Sequence, residues 1–442
     1  MPLCPCSLGD TRNRSQEPKQ FLDPKKQSRL DSWLIKPQKH LHAWGLIMLM
    51  VAGSLIAPVS IDMYLPSIPG MTEYFGTSVF MVNLTLLCFT FFLAVGLLIF
   101  GAISDKFGRR PVLIVGMSLY ALSGILCAMA STIELLIAAR IVQALASGAV
   151  SAVCMAVVKD AVKAEHREKV LSVVQIMFVV GPVASPIFGA AIVQFFTWHA
   201  VFWTLFIVGL IGLVAAIAFE ETLDDEHRTQ GSPFAALGGL VRVGKNPAFM
   251  TFLIITSFFE VAFMSYISLS SYIYIGMFNT GEVAYSLYLA IAAVLITLGP
   301  IFWLCISKRT TPKRATTVAF LSAAVSGVIM FAVGHIHPLT FCLSFILFAF
   351  IEAVVRPYSI NLLLSQSECD AGAASSLINF VRTLVGCLGM VVAVLPWSDY
   401  IDGIATIIVV SMVGCFIVWA WMLKSHMVLF GVKDAEEPET LL

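Results

Sequence analysis

An all-α protein crossing a membrane twelve times is the fold class this sequence predicts, and three observations predict it. Of the 442 residues, 59% are hydrophobic and only 12% charged. No single soluble core of this size hides so much apolar surface. Twelve apolar stretches recur along the chain, each about long enough to cross a hydrocarbon layer of about 30 Å. Lysine and arginine gather in alternate connections between them, as they do on the two sides of a bilayer.

The apolar stretches fall near 44–66, 79–101, 112–130, 134–158, 170–196, 200–220, 248–276, 283–306, 315–334, 339–364, 373–396 and 402–424. The longest polar interruption, 221–247, divides them into two sixes. The expected organisation is therefore a polar tail (1–43), a six-helix bundle (44–220), a central loop (221–247), a second six-helix bundle (248–424) and a second tail (425–442). Two sixes with both ends on one side suggest parallel repeats. The first tail has eight Lys/Arg and no apolar core, so it is not a cleavable signal peptide. Both tails are expected to be loosely ordered.

All but three of the 27 lysines and arginines fall in the first tail, the central loop, the loops 102–111, 159–169 and 307–314, and the C-terminal end from Lys424 onward. In a twelve-helix arrangement these share one side, and the opposite loops have none. The expectation is a multi-pass membrane protein with both termini in the cytoplasm.

The three remaining arginines, Arg140, Arg356 and Arg382, lie inside spans, as do the carboxylates Asp62, Glu260 and Glu352. Ionisable groups at that depth are costly and normally face an interior, each with a partner. Three of each sign balance. The set is a polar pathway, a group of structural ion pairs, or both.

Other chemistries find little support. The net charge is zero, so no basic field invites nucleic acid. The ten cysteines are scattered without zinc or disulfide spacing. His335 and His337 flank Ile336 in a loop, where a metal would need further ligands; an exposed pair with no metal is expected. There is no phosphate-binding G-x-x-x-x-G-K-[ST] loop, no nucleophile–base cluster, and no soluble signalling domain. No cofactor is expected, and an ion gradient is the natural energy source.

The loop "GAISDKFGRRP", Gly101 to Pro111, is the most specific motif. It resembles the signature loop G-x-x-[SA]-D-[RK]-x-G-R-[RK]-P of the major facilitator superfamily. "SIDMYLPSIP" (60–69), "ARIVQALASGA" (139–149), "AVVKDAV" (156–162), "GPVASPIFGA" (181–190), "WHAVFWTL" (198–205) and "AGAASSL" (371–377) resemble landmarks of its bicyclomycin-resistance/chloramphenicol-efflux (Bcr/CflA) exporters. The likeness runs over about 45–425 and is strongest in the first half. Ala146 and Ala190 stand where the family usually has glycine, and the loop 299–314 lacks the signature aspartate.

The resemblance implies a major facilitator fold and export of small molecules against protons, with drugs as substrates and antibiotic resistance as a consequence. It implies a proton-binding role for Asp62 and a functional Arg140, and Arg140 is the expected partner of Asp62. On the residues alone, burial and a nearby cation also favour a proton site at Asp62, and the alternative is a structural acid bonded to backbone freed by Pro58 or Pro66. Gly101, Asp105, Gly108, Arg109 and Arg110, with Gly181, Pro182, Pro186 and Gly189 of the antiporter motif, are the expected conformational elements. Gln143, Glu260, Glu352, Arg356, Asn361 and Arg382 are candidate cavity residues, as are Tyr64, Phe178, Tyr266 and Tyr358. Glu352 and Arg356 are four apart, so they can pair along one helix face. Partners are then a small molecule, protons and lipid, with the chain acting as a monomer. A dedicated exporter of one metabolite, such as a metal-chelating polycarboxylate, is the alternative, and a non-transporting sensor the remote one.

Overall fold

The computed structural model describes residues 31–36, 38–224, 228, 235–366 and 371–425; the side chains of 31, 178, 179, 235–237 and 371 lie outside that description. Among these described residues, twelve helices are long and apolar enough to cross a membrane. They are α1 (His42–Tyr74), α2 (Val79–Phe107), α3 (Arg109–Ala128), α4 (Ile133–Ala161), α5 (Ala164–Phe195), α6 (His199–Ala218), α7 (Pro247–Met277), α8 (Gly281–Ile306), α9 (Pro312–Val333), α10 (Pro338–Leu364), α11 (Ala371–Ala393) and α12 (Tyr400–Lys424). The chain is a multi-pass membrane protein. Large apolar side chains such as Ile211 and Val214 on α6 and Val410 and Ile417 on α12 face outward, where hydrocarbon is their solvent.

Side chains that accept orphan backbone N–H groups set many of the helix starts. Ser78, Thr132 and Thr311 cap α2, α4 and α9, and Asn246 and Asp399 cap α7 and α12. His337 caps α10 with its ring and receives Thr340 in return.

The first span differs from its expected form. It runs past residue 66, where the apolar stretch stops. The α-helix runs from His42 to Asp62, tightens to a 3-10 turn at Leu65–Ser67, and resumes over Ile68–Tyr74. Each proline sits in the first turn of a new segment, where its missing N–H costs nothing. The irregular stretch therefore begins right after Asp62. Two further segments are more ordered than expected. Ile35 N–H donates to Ala161 O at 2.8 Å and Lys163 N–H to Trp33 O at 2.9 Å, which ties residues 31–36 to the end of α4. Within the central loop, Ala235–Gly244 forms a short helix that packs on α11.

The same pairs pack in both halves: α1 on α5, α2 on α4 and α3 on α6, then α7 on α11, α8 on α10 and α9 on α12. Close approaches repeat too. A Cβ on Gly189 of α5 would overlap the Met63 carbonyl of α1, and one on Gly389 of α11 would overlap the Val261 carbonyl of α7. Small residues at such crossings let backbones touch. Among the described residues, the hydrogen bonds that join the halves lie at one end. Asn83 Nδ2 donates to Met390 O at 2.8 Å, Ser268 Oγ donates to Asn83 Oδ1, and the Thr72 and Tyr272 hydroxyls meet at 3.0 Å. That end is opposite the basic loops.

Candidate functional site

Asp62 closes the regular part of α1, about 30 Å along the helix axis from its start at about 1.5 Å per residue. It is half-buried, and its carboxylate takes part in no hydrogen bond or ion pair among the described residues. The 3-10 turn that follows it packs against α8 of the other half.

Arg140 does not pair with it. The guanidinium is fully buried, and its Nη1 donates to Gln143 Oε1 at 2.8 Å and to Ser60 O at 3.2 Å. It thereby holds a backbone carbonyl in the last regular turn of α1 before the bend, two residues before Asp62, where a cation complements the helix end. Its plane lies over Phe89 at 4.1 Å and Tyr64 at 4.9 Å. Aromatic faces stabilise a desolvated cation, though less than a carboxylate would. Arg140 Nε and Nη2 and Gln143 Nε2 have no hydrogen-bond partner among the described residues. The balance of charges predicted an ion pair here; the folded chain puts a carbonyl, an amide and aromatic rings around the arginine instead.

The second half behaves differently. Glu260 (α7), Glu352 and Arg356 (α10) and Arg382 (α11) form one closed cluster. Arg356 Nη2 lies 2.6 Å from Glu260 Oε1 and 2.8 Å from Glu352 Oε1. Arg382 Nη2 lies 3.1 and 3.2 Å from the same two oxygens. Two acids and two arginines cancel, which is how ionised groups persist away from water. The Arg382 side chain is 7% exposed and that of Arg356 is 46% exposed, so Arg356 is the open corner of the cluster.

The tyrosines are packed rather than open. The Tyr64 hydroxyl meets Thr85 Oγ1 at 2.9 Å, Tyr358 donates to Thr316 Oγ1 at 3.3 Å, and the Tyr266 ring lies parallel to Phe345. All three are buried. Asn361 is exposed on α10 toward its basic end. The side chain of Phe178 lies outside the described residues.

The signature loop is pinned within the first half. Gly108 has φ +100°, a conformation L side chains rarely adopt, and it makes the tight turn between α2 and α3. Arg109 reaches Asp105 at 2.6 Å, Asp160 at 2.8 Å and Ser104 Oγ at 2.6 Å. Gly101 has open space where a Cβ would stand. The Glu221 carboxylate accepts from Arg109 N and Arg110 N at 3.0 Å each. It caps the start of α3, a task the adjoining glycine has no side chain to do. Neither Asp160 nor Glu221 is named as functional on the sequence alone, although Asp160 stands in the "AVVKDAV" motif. Glu221→Ala is expected to destabilise the first half by about 1–2 kcal/mol, the usual cost of a lost cap. Thermal unfolding in detergent measures it.

In the antiporter motif, α5 continues through Pro182 and Pro186 without interruption. Gly181 faces the Leu55 side chain, and Gly189 receives the Met63 carbonyl next to Asp62. The motif is therefore the wall against which the bend after Asp62 rests.

Residues 50–390 match the family described as Major Facilitator Superfamily. The chain is 28% identical over 349 residues to an uncharacterized MFS-type transporter, YdgK, of Bacillus subtilis, covering 78% of this chain and 87% of that one. It is 26% identical over 384 residues to a bicyclomycin resistance protein homolog of Haemophilus influenzae, covering 84% and 96%. Over 342 residues it is 25% identical to the multidrug resistance protein MdtL of Shewanella oneidensis, covering 76% and 84%. Among solved structures, a peptide transporter POT in complex with sulfate superposes with a TM-score of 0.70 at 14% identity, covering 91% of this chain and 98% of that one. A D-xylose-proton symporter does so at 0.65 and 15%, covering 84% and 96%.

Proposed function

From the Major Facilitator Superfamily, to which this chain belongs, we propose that it exports small molecules in exchange for protons, by alternating access across a bacterial inner membrane. The observation that carries this reading is the solitary Asp62. Of the three acids well inside the spans, Glu260 and Glu352 each meet two arginines, and Asp62 meets none. A carboxylate without a countercharge at that depth has the proton as its matching ligand. Protonation drives transport when the outward- and inward-facing arrangements hold the proton with different affinity. Here Asp62 sits at the bend of α1, against the antiporter motif and beside α8 of the other half, where a rocking motion changes its surroundings most.

The proposed orientation follows the basic loops, with the termini and the signature loop in the cytoplasm. The hydrogen bonds between the halves then lie on the outer side, as in an inward-facing carrier. The names of the relatives point to drugs, bicyclomycin-type compounds among them, as substrates, and the resemblance to the Bcr/CflA exporters adds chloramphenicol-type compounds. The net-neutral cluster in the second half supports a broad range over a polycarboxylate, because both of its arginines are already matched by acids.

Proteoliposomes with a pH-sensitive dye inside test the proposal. Adding a transported compound is expected to discharge an imposed proton gradient, with a panel of cations, neutral drugs and acids locating the substrate class. Transport of a panel compound with no accompanying proton movement would sink the antiport reading.

A further inference from the structure

The exit of α9 and the first turn of α12 bring three metal-ligating side chains together, on the end opposite the basic loops. Gly334 follows α9, and a Cβ on it would crowd Ile401 Cγ2 at 2.9 Å; its absence lets the two helix ends close up. His335 therefore stands beside Asp399, the cap of α12, and Asp402 in the same turn. Their ligand atoms all lie within 4.8 Å of one another. We infer that His335, Asp399 and Asp402 form a binding site for a divalent transition-metal ion of the Zn²⁺ class.

Geometry supports this. His335 Nε2 lies 3.4 Å from Asp399 Oδ1 and 3.4 Å from Asp402 Oδ1. That is long for a direct N–H···O bond, which is usually about 2.9–3.0 Å. It matches the edge of a tetrahedron whose metal–ligand bonds are about 2.0–2.1 Å. Asp399 is held in place by the Ile401 N–H, which donates to it at 2.7 Å, so one ligand is already oriented by its surroundings. An imidazole with two carboxylates suits Zn²⁺ better than Ca²⁺ or Mg²⁺, which take oxygen ligands in larger number or with retained water. The side chains of His335, Asp399 and Asp402 are 41%, 27% and 40% exposed, so an ion can enter and keep water in the remaining position. His337 is no fourth ligand from the protein, because its Nδ1 accepts from Leu339 N at 3.1 Å in the cap of α10. The ion joins two helices of one half. It is a clip on that bundle, separate from the proton and substrate path.

Equilibrium dialysis of the purified full chain against Zn²⁺, after chelator stripping, tests the assignment. The wild type is expected to bind one more ion than His335→Ala or the near-isosteric Asp402→Asn, or to bind it at least about tenfold more tightly, a difference of about 1.4 kcal/mol. Zn²⁺ is also expected to raise the unfolding temperature of the wild type and of neither variant. Equal zinc binding in all three proteins overturns the site, leaving only an ion pair between the histidine and the two aspartates. Wild-type affinity for Ca²⁺ or Mg²⁺ equal to that for Zn²⁺ overturns the assigned metal class.

Discussion

Asp62→Asn is expected to fold, insert and bind its substrate, yet to lose proton-driven transport. Asparagine keeps the shape of the side chain and removes its exchangeable proton. The carboxylate makes no hydrogen bond or ion pair among the described residues, so its replacement breaks no structural contact. The contrast with its environment is what makes the prediction sharp: a structural acid would have left a broken bond behind. In proteoliposomes, gradient-driven accumulation should fall at least about tenfold, equivalent to about 1.4 kcal/mol of coupling between proton and substrate. Exchange of labelled for unlabelled substrate, which needs no net proton movement, should persist. Full proton-driven accumulation in the variant would remove Asp62 from the coupling step.

The ionic cluster of the second half predicts the largest effect on stability. Arg382→Gln removes one positive charge from a site where Glu260 and Glu352 then face Arg356 alone. Glu352 and Arg382 are both deeply buried, so an uncompensated charge remains in the interior. Breaking such a pair costs about 3–5 kcal/mol. The unfolding temperature in detergent should drop by several degrees. Glu352→Gln combined with Arg382→Gln removes one charge of each sign and leaves the 2.6 Å pair of Arg356 with Glu260 intact. The double variant is therefore expected to be more stable than either single one. Additive losses in the double variant would show that the four groups do not act as a charge-balanced unit.

What the sequence made legible, and what it did not, separates along one physical line. Helix-length apolar runs and the placement of lysine and arginine are local properties, and they predicted the twelve spans. The four-residue spacing of Glu352 and Arg356 is also local, and that pair is present at 2.8 Å. Joining Glu260 and Arg382 to it required three helices to be packed together, and no spacing encodes that. Charge balance suggested a partner for Arg140 without any geometry. In the folded chain a carbonyl from the last turn of α1 and the faces of Phe89 and Tyr64 reached it first. The end of α1 was misplaced because Pro66 and Pro69 break a continuing helix but suit the start of a new one. Glu221 acts on a helix start more than a hundred residues earlier, and Asp399 and Asp402 reach His335 across all of α10 and α11. Such contacts become visible only when the helix ends are in place.

The two glycine crossings have a consequence for how the halves relate. Gly189 receives the carbonyl of Met63, and Gly389 that of Val261. The residue just before each carbonyl is an acid, Asp62 in one half and Glu260 in the other. Aligned on this shared backbone contact, the chain offers the same seat twice, with a carboxylate in each. In one half two arginines have bolted the acid down; in the other the seat is left unbolted. At this shared contact the halves differ in which acid is left free to change its charge.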